Sequence, residues 1–257
     1  RQQARQVGEC IGIPTGLQRL DVLTGGWRGG QLVVLAGRPG MGKSAAMLHF
    51  ARTAAVAGVP VCVFSLEMPD TQLAGRMLVG GSGVNSGSFR TGDIDADSWR
   101  RLEQAAAELS ALPVYFSDCA NITMGTIRSQ CKAMARRGRC GMVIIDYLQL
   151  LADGKAKDRY QAITGISIAL HELAQTTGIL VVALAQLNRN AAHAAPSTAD
   201  LKESGQLEQD ADAILLLSDD GEQYRASLDK NKEGRIGILP IAFDKECQRF
   251  LEIEERR

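Results

Sequence analysis

The sequence of 257 residues has no excess of either charge: 29 basic side chains face 29 acidic ones. A chain that coats nucleic acid by itself is usually strongly basic. Binding of that kind would therefore need charge concentrated locally, as when several subunits each contribute a few cations. No run reaches the roughly 18 apolar residues that a membrane-spanning helix requires. The polar opening, Arg1-Gln2-Gln3-Ala4-Arg5, lacks the apolar stretch of a secretory signal, so the expectation is a cytoplasmic protein. None of the six cysteines (Cys10, Cys62, Cys119, Cys131, Cys140 and Cys247) forms a CxxC pair. That removes the commonest zinc and thiol-redox spacings, and the cysteines read as reduced and structural. The three histidines, His49, His171 and His193, are scattered and receive no role. No internal repeat is present, and no linker-like run divides the chain in two.

Hydrophobic residues make up 45% of the chain, enough for a packed core. Short apolar runs alternate with longer amphipathic stretches, the pattern of an α/β fold with a largely parallel sheet. Strands are expected at 31–36 (QLVVLA), 61–66 (VCVFSL), 114–117, 142–147 (MVIIDY), 179–185 (ILVVALA) and 213–217. Helices are expected at 43–57, about 70–79, 97–110, 123–137 and 160–177, with Asp95 or Asp97 as an N-cap. The Gly- and Ser-rich stretch 80–92 reads as a loop, as do 153–158 and 188–198. Residues 200–210 read as a short helix or ordered loop. The tail, at 224–230, 237–243 and 249–253, reads as antiparallel strands extending one edge of the sheet.

The strongest local signal is Gly37-Arg38-Pro39-Gly40-Met41-Gly42-Lys43-Ser44. It matches G-x-x-x-x-G-K-[ST] in full and sits directly after a strand and at the start of a helix. Glycines let backbone N–H groups converge on phosphates, and the helix N-terminus adds favourable partial charge. Lys43 is expected to neutralise β/γ-phosphate charge and Ser44 to ligate Mg²⁺.

Three polar residues terminate apolar strands. Asp146 ends MVIID and is the expected Mg²⁺ partner beside such a loop. Glu67 follows VCVFSL, where a carboxylate would either polarise an attacking water or merely favour the dipole of the next helix. Gln186 follows ILVVALA, where its amide would sense a γ-phosphate or orient water, or simply be solvated. Their recurrence at one rim, where open α/β sheets collect ligands, is stronger than any one of them. The basic run Arg136-Arg137-Gly138-Arg139 reads as a solvated helix end.

Six blocks occur in order: GIPTGLQRLDVLTGG (12–26), GRPGMGKS (37–44), FSLEM (64–68), IIDYLQLL (144–151), ALAQLNR (183–189) and DLKESGQLEQDAD (200–212). Together they resemble the C-terminal motor domain of DnaB-type replicative DNA helicases from about Gly12 to Phe250. IDYLQL and the ESG…EQDAD block are the most diagnostic. The resemblance implies a RecA-like P-loop core in a hexameric ring, hydrolysing ATP with Mg²⁺ between subunits. Residues 12–257 are then the motor domain and 1–11 the remnant of a linker. Single-stranded DNA is the implied partner, with other replication proteins.

By the same resemblance Lys43, Ser44 and Asp146 are phosphate and Mg²⁺ residues, Glu67 is the catalytic carboxylate and Gln186 the γ-phosphate sensor. Lys202-Glu203-Ser204-Gly205 align with the segment that touches the single-strand backbone. Lys230 and Lys232 align with cations that reach the neighbouring subunit's γ-phosphate. The family usually has arginine at the second of these positions, as it does at Lys202, and Arg235 is a candidate substitute. Two alternatives stand beside this reading. One is a recombination-type RecA-like ATPase, against which the IDYLQL and EQDAD blocks argue. The other is a nucleotide-switched assembly or loading module that does not unwind DNA.

Overall fold

The computed structural model describes residues 11–117, 122–146, 148, 159–187, 198, 200, 201, 205–219, 221 and 223–253. The apolar runs form β1 (Leu32–Gly37), β2 (Val61–Ser65), β3 (Val114–Ser117), β4 (Met142–Asp146), β5 (Leu180–Gln186) and β6 (Ala213–Asp219). The tail adds β7 (Tyr224–Asn231), β8 (Gly237–Asp244) and β9 (Arg249–Glu252). They build one sheet in the order β3-β2-β4-β5-β1-β6-β7-β8-β9. Pairing is parallel from β3 to β6 and antiparallel from β6 to β9. The C-terminal strands thus extend one edge, as the sequence pattern predicts.

Helices cover both faces of the parallel part, so its strands are buried on both sides and read as continuous apolar runs. Side chains alternate between two cores. Val33, Leu35, Val63, Ile144 and Leu184 point into one, with α2 (Lys43–Val56) and α3 (Asp70–Ser82). Val34, Ala36, Val143, Ile145 and Ala183 point into the other, with α6 (Met124–Arg136) and α7 (Arg159–Thr177). Cys62, Cys131 and Cys140 are free thiols buried in the second core, which agrees with a packing role.

Two local expectations need correction. Residues 80–92 are not one loop: α3 runs on to Ser82, and α4 (Ser86–Thr91) follows. The Asn85 side chain caps α4 by accepting from the Gly87 and Ser88 N–H groups. Glycines end both helices: Gly83 after α3 and Gly92 after α4 take left-handed φ of 65° and 78°. A Cβ on Gly80 would lie 3.4 Å from the Gln248 carbonyl, where the β8–β9 hairpin crosses the helix. The second omission is α1 (Gln18–Thr24). Its first N–H groups are satisfied from the far end of the chain, since the Glu252 carboxylate accepts from Gln18 N (2.9 Å) and Arg19 N (2.7 Å). No local signal announces a helix stabilised in that way. Asp95, not Asp97, caps α5 (Ala96–Ser110), and Thr123 caps α6.

Candidate active site

Register decides which polar residues meet. β1 lies between β5 and β6, with Gly37 beside Gln186 and Leu217. β4 pairs with β2, with Asp146 beside Ser65. The carboxyl ends of four strands therefore reach one rim, the position at which open α/β sheets bind ligands. From β1 the chain enters the phosphate loop, where Gly40 and Gly42 hold φ of 81° and 70°. Both values lie in the left-handed region that glycine adopts without cost. Gly42 is the N-cap of α2, so Lys43 and Ser44 occupy its first turn.

A cavity of about 650 Å³ opens at this rim. Pro39, Gly40, Gly42, Lys43 and Ser44 line it, with Glu67, Asp146 and Gln186. All three strand-end residues singled out in the sequence are thus brought to the phosphate loop. Ser44 Oγ donates to Asp146 Oδ2 at 3.2 Å. Lys43 Nζ folds over the loop and donates to Gly37 O (2.8 Å) and Arg38 O (3.1 Å).

Asp146 is 2% exposed. Burial pushes its carboxyl up to about 6; the Ser44 hydroxyl opposes the shift, Glu67 adds to it, and Lys43 and Arg76 oppose it. Burial also lowers Lys43, against the charges of Asp146 and Glu67. Each group is held partly desolvated beside opposite charge, as expected where a phosphate and a cation are to be exchanged for water.

Glu67 lies two residues beyond the end of β2 rather than at it. Ser65 Oγ donates to Met68 O (2.7 Å) and accepts from Met68 N (3.0 Å), closing a tight turn that presents the exposed Glu67 carboxylate at the cavity.

The donor set suits Mg²⁺. That ion takes oxygen ligands and is usually held by one or two protein oxygens together with substrate phosphates and water. The Ser44 hydroxyl and the Asp146 carboxylate supply such a pair. Among the described residues no group of three or more His, Cys, Asp or Glu converges to hold a metal unaided.

Five lining residues escape a reading of strand ends alone. Gln72 and Arg76, four apart on α3, line the cavity from one side. Their i, i+4 spacing directly after Glu67 is the signal that would have found them. Phe243, Lys245 and Gln248 come from the β8–β9 hairpin. There the sequence shows only alternation, which says nothing about where the hairpin folds back.

Lys230 and Lys232 do not line this cavity. Lys230 Nζ donates to Glu208 O and Gln209 O (3.1 Å), and Lys232 Nζ to Asp210 O (3.2 Å) and Asp212 Oδ1 (2.9 Å). They cap the C-terminal end of α8 (Gly205–Asp210), where positive charge is favoured. Arg235 is exposed. Lys202, Glu203 and Ser204 lie outside the described residues, and Gly205 opens α8. No helix among the described residues is long and apolar enough to cross a membrane.

A GxxxxGKS loop on a parallel sheet, with a buried aspartate beside its serine and an acid and an amide at the same rim, defines a RecA-like P-loop nucleotide-binding domain. Comparison with known proteins narrows this. The family model described as DnaB-like helicase C terminal domain matches residues 12–252. "Replicative DNA helicase DnaB" of Geobacillus stearothermophilus is 36% identical over 264 residues, covering 97% of this chain and 58% of that protein. "Replicative DNA helicase DnaC" of Bacillus subtilis (strain 168) is 35% identical over the same length, with the same coverage of both. Among solved structures, "ATPase Domain of G40P" superposes with a TM-score of 0.91 at 32% identity, covering 96% of this chain and 93% of that one. A DnaB-like replicative helicase, solved in work on its interactions with primase, gives the same TM-score and identity and covers 63% of that chain. The chain belongs to the DnaB-like helicase C-terminal domain family. It spans about 58% of the length of these two curated relatives.

Proposed function

We propose that this chain is the ATP-hydrolysing motor of a replicative DNA helicase, working in a homo-oligomeric ring that translocates on single-stranded DNA. The observation that carries the reading is the convergence of Lys43, Ser44, Glu67, Asp146 and Gln186 on one cavity, within a family match that covers nearly the whole chain.

In this mechanism the phosphate-loop N–H groups and Lys43 hold the β- and γ-phosphates. Ser44 and Asp146 would hold Mg²⁺, which supplies charge neutralisation when bound. The Glu67 carboxylate takes a proton from the attacking water, and the Gln186 amide orients that water and registers the γ-phosphate. Lys230 and Lys232 act on the site of the adjacent subunit, which accounts for their place outside the cavity of their own chain. Lys202 to Gly205 contact the DNA backbone, a sequence-independent interaction that needs charge more than planar geometry. Zero net charge is compatible with this, because a ring needs only a few cations per subunit in its channel.

The test is ATP hydrolysis with and without single-stranded DNA, followed by strand separation on a forked duplex and the particle's size and symmetry with nucleotide. DNA-stimulated hydrolysis with unwinding by a ring supports the motor. ATP binding with neither stimulation nor unwinding overturns it in favour of a switch or loading module.

A further inference from the structure

A second, smaller cavity lies between α2, α3 and the start of β9. Its volume is about 90 Å³. A water molecule takes about 30 Å³ of liquid, so the space suits one small ion and excludes a nucleotide. Three guanidiniums line it: Arg52 from α2, Arg76 from α3 and Arg249 from β9. Among the described residues no carboxylate lines it.

Two of these arginines lack a close partner. Arg249 Nε is buried without a hydrogen-bond acceptor, and the Asp244 carboxylate stands 3.7 Å from it. Arg52 Nη2 faces Glu108 at 3.6 Å. Both separations exceed a hydrogen bond, and neither acid lines the cavity. Both guanidiniums lie against the end of α3. A Cβ on Gly81 would come within 3.6–3.7 Å of three Arg52 guanidinium atoms, and one on Gly83 within 3.5 Å of Arg249 Nη1. The carbonyl end of a helix favours positive charge, yet among the described residues neither side chain donates a hydrogen bond to it. Like charges gathered around one small, partly desolvated space repel. A bound anion turns that repulsion into attraction, and the guanidinium fork fits an oxyanion with two parallel hydrogen bonds.

We propose that this cavity is a second anion site, separate from the nucleotide site, which takes inorganic phosphate on Arg52, Arg76 and Arg249. The forks select a tetrahedral oxyanion over chloride, and the volume selects it over a nucleotide. Arg76 also lines the nucleotide cavity, so the two spaces share a wall. The phosphate then has two sources, the product leaving after hydrolysis or the solvent. Only the first of these rests on the nucleotide-hydrolysing reading above.

Equilibrium dialysis of labelled phosphate against the intact chain, saturated with ADP and Mg²⁺ to fill the phosphate loop, tests the proposal. Wild type binds a phosphate in each chain. Arg52→Gln and Arg249→Gln each weaken phosphate about tenfold or more, the scale of a lost hydrogen bond to a charged group, and leave ADP affinity within about twofold. Arg52→Lys, which keeps the charge without the fork, falls between. Neither Arg52 nor Arg249 lines the nucleotide cavity, so phosphate held beside ADP in the γ-position would ignore these substitutions. Such insensitivity, no phosphate binding by wild type, or equal weakening of phosphate and ADP each overturns the site. A wild-type chain that binds no ADP overturns the nucleotide reading instead, and dialysis without nucleotide then tests the site with the same variants. Timing hydrolysis against phosphate release in a single turnover reads the source. Release that lags in wild type and keeps pace in Arg52→Gln identifies product phosphate. Release without a lag in either identifies phosphate from solvent, and both results keep the site.

Discussion

Ser44 Oγ and Asp146 Oδ2 stand 3.2 Å apart, joining the first turn of the phosphate-loop helix to the end of a strand two places away in the sheet. The aspartate is buried, and its folded pKa is raised from 3.8 to about 6. A carboxyl raised on folding binds its proton more tightly in the native state. Its contribution to stability is therefore full below about pH 4 and is lost as pH rises through about 6. In buffer free of nucleotide and metal, Asp146→Asn should be more stable than wild type at pH 7.5 by roughly 1–3 kcal/mol. The gap should close toward pH 4. Thermal unfolding of both proteins across that range measures it, and a gap independent of pH would refute the assignment. The same variant should hydrolyse ATP on the order of a hundredfold more slowly, having lost a cation ligand.

Glu67 sits in an exposed turn at the cavity, away from the phosphate loop's own hydrogen bonds. Glu67→Gln should leave nucleotide affinity near wild type and reduce turnover by about 10²–10⁴-fold, the range for loss of a general base. Paired measurements of nucleotide Kd and kcat separate the two effects. Normal kcat would remove Glu67 from the chemistry.

Gly42 is constrained twice, by its φ of 70° and by Phe243, whose ring atoms lie 2.8–3.1 Å from the position of an added Cβ. Gly42→Ala should cost about 1–3 kcal/mol in unfolding free energy. It should also displace the hairpin from the cavity, weakening nucleotide binding beyond what the stability loss explains. Gly92→Ala is the control: its φ is 78°, but no atom lies within 4 Å of the added Cβ. It carries the backbone penalty alone. Equal effects of the two substitutions on nucleotide affinity would contradict the steric part.

The proposed division of labour between chains predicts complementation. Lys43→Ala and Lys232→Ala should each be inactive as pure oligomers. Mixed oligomers should recover a fraction of wild-type hydrolysis, because some interfaces pair an intact phosphate loop with an intact lysine. Hydrolysis measured against mixing ratio reports this. No recovery at any ratio would place Lys232 in the service of its own chain, where it already caps α8.

What the sequence disclosed and what it withheld divide along a physical line. The phosphate loop, Asp146 and Gln186 were legible because each follows a buried apolar run. A polar residue at the end of such a run must emerge at the rim. Glu67 was placed correctly at that rim although β2 stops at Ser65, since the intervening turn is short. The parallel order of the sheet followed from the alternation of strand and helix patterns. The hairpin residues Phe243, Lys245 and Gln248 were not legible. Their arrival at the cavity depends on packing between segments far apart in the chain, and neither periodicity nor local motif encodes that. The α1 helix was hidden for the same reason, because its first N–H groups find their acceptor in Glu252. The stretch 80–92 misled because its glycines end two helices, α3 at Gly83 and α4 at Gly92, and do not form one continuous loop.

Within this sheet the strand that carries the phosphate loop precedes both of its partners in the chain. β1 finds its two neighbours only in β5 and β6, where Leu32 pairs with Val181 and Val33 with Ala213. Closing so large a loop before any pairing repays it is slow. During translation the segment GRPGMGKS waits, with its apolar strand unpaired, until β5 and then β6 have left the ribosome. Nascent chains that stop short of β6 therefore contain the whole motif but lack its seat, and present an aggregation-prone edge in its place.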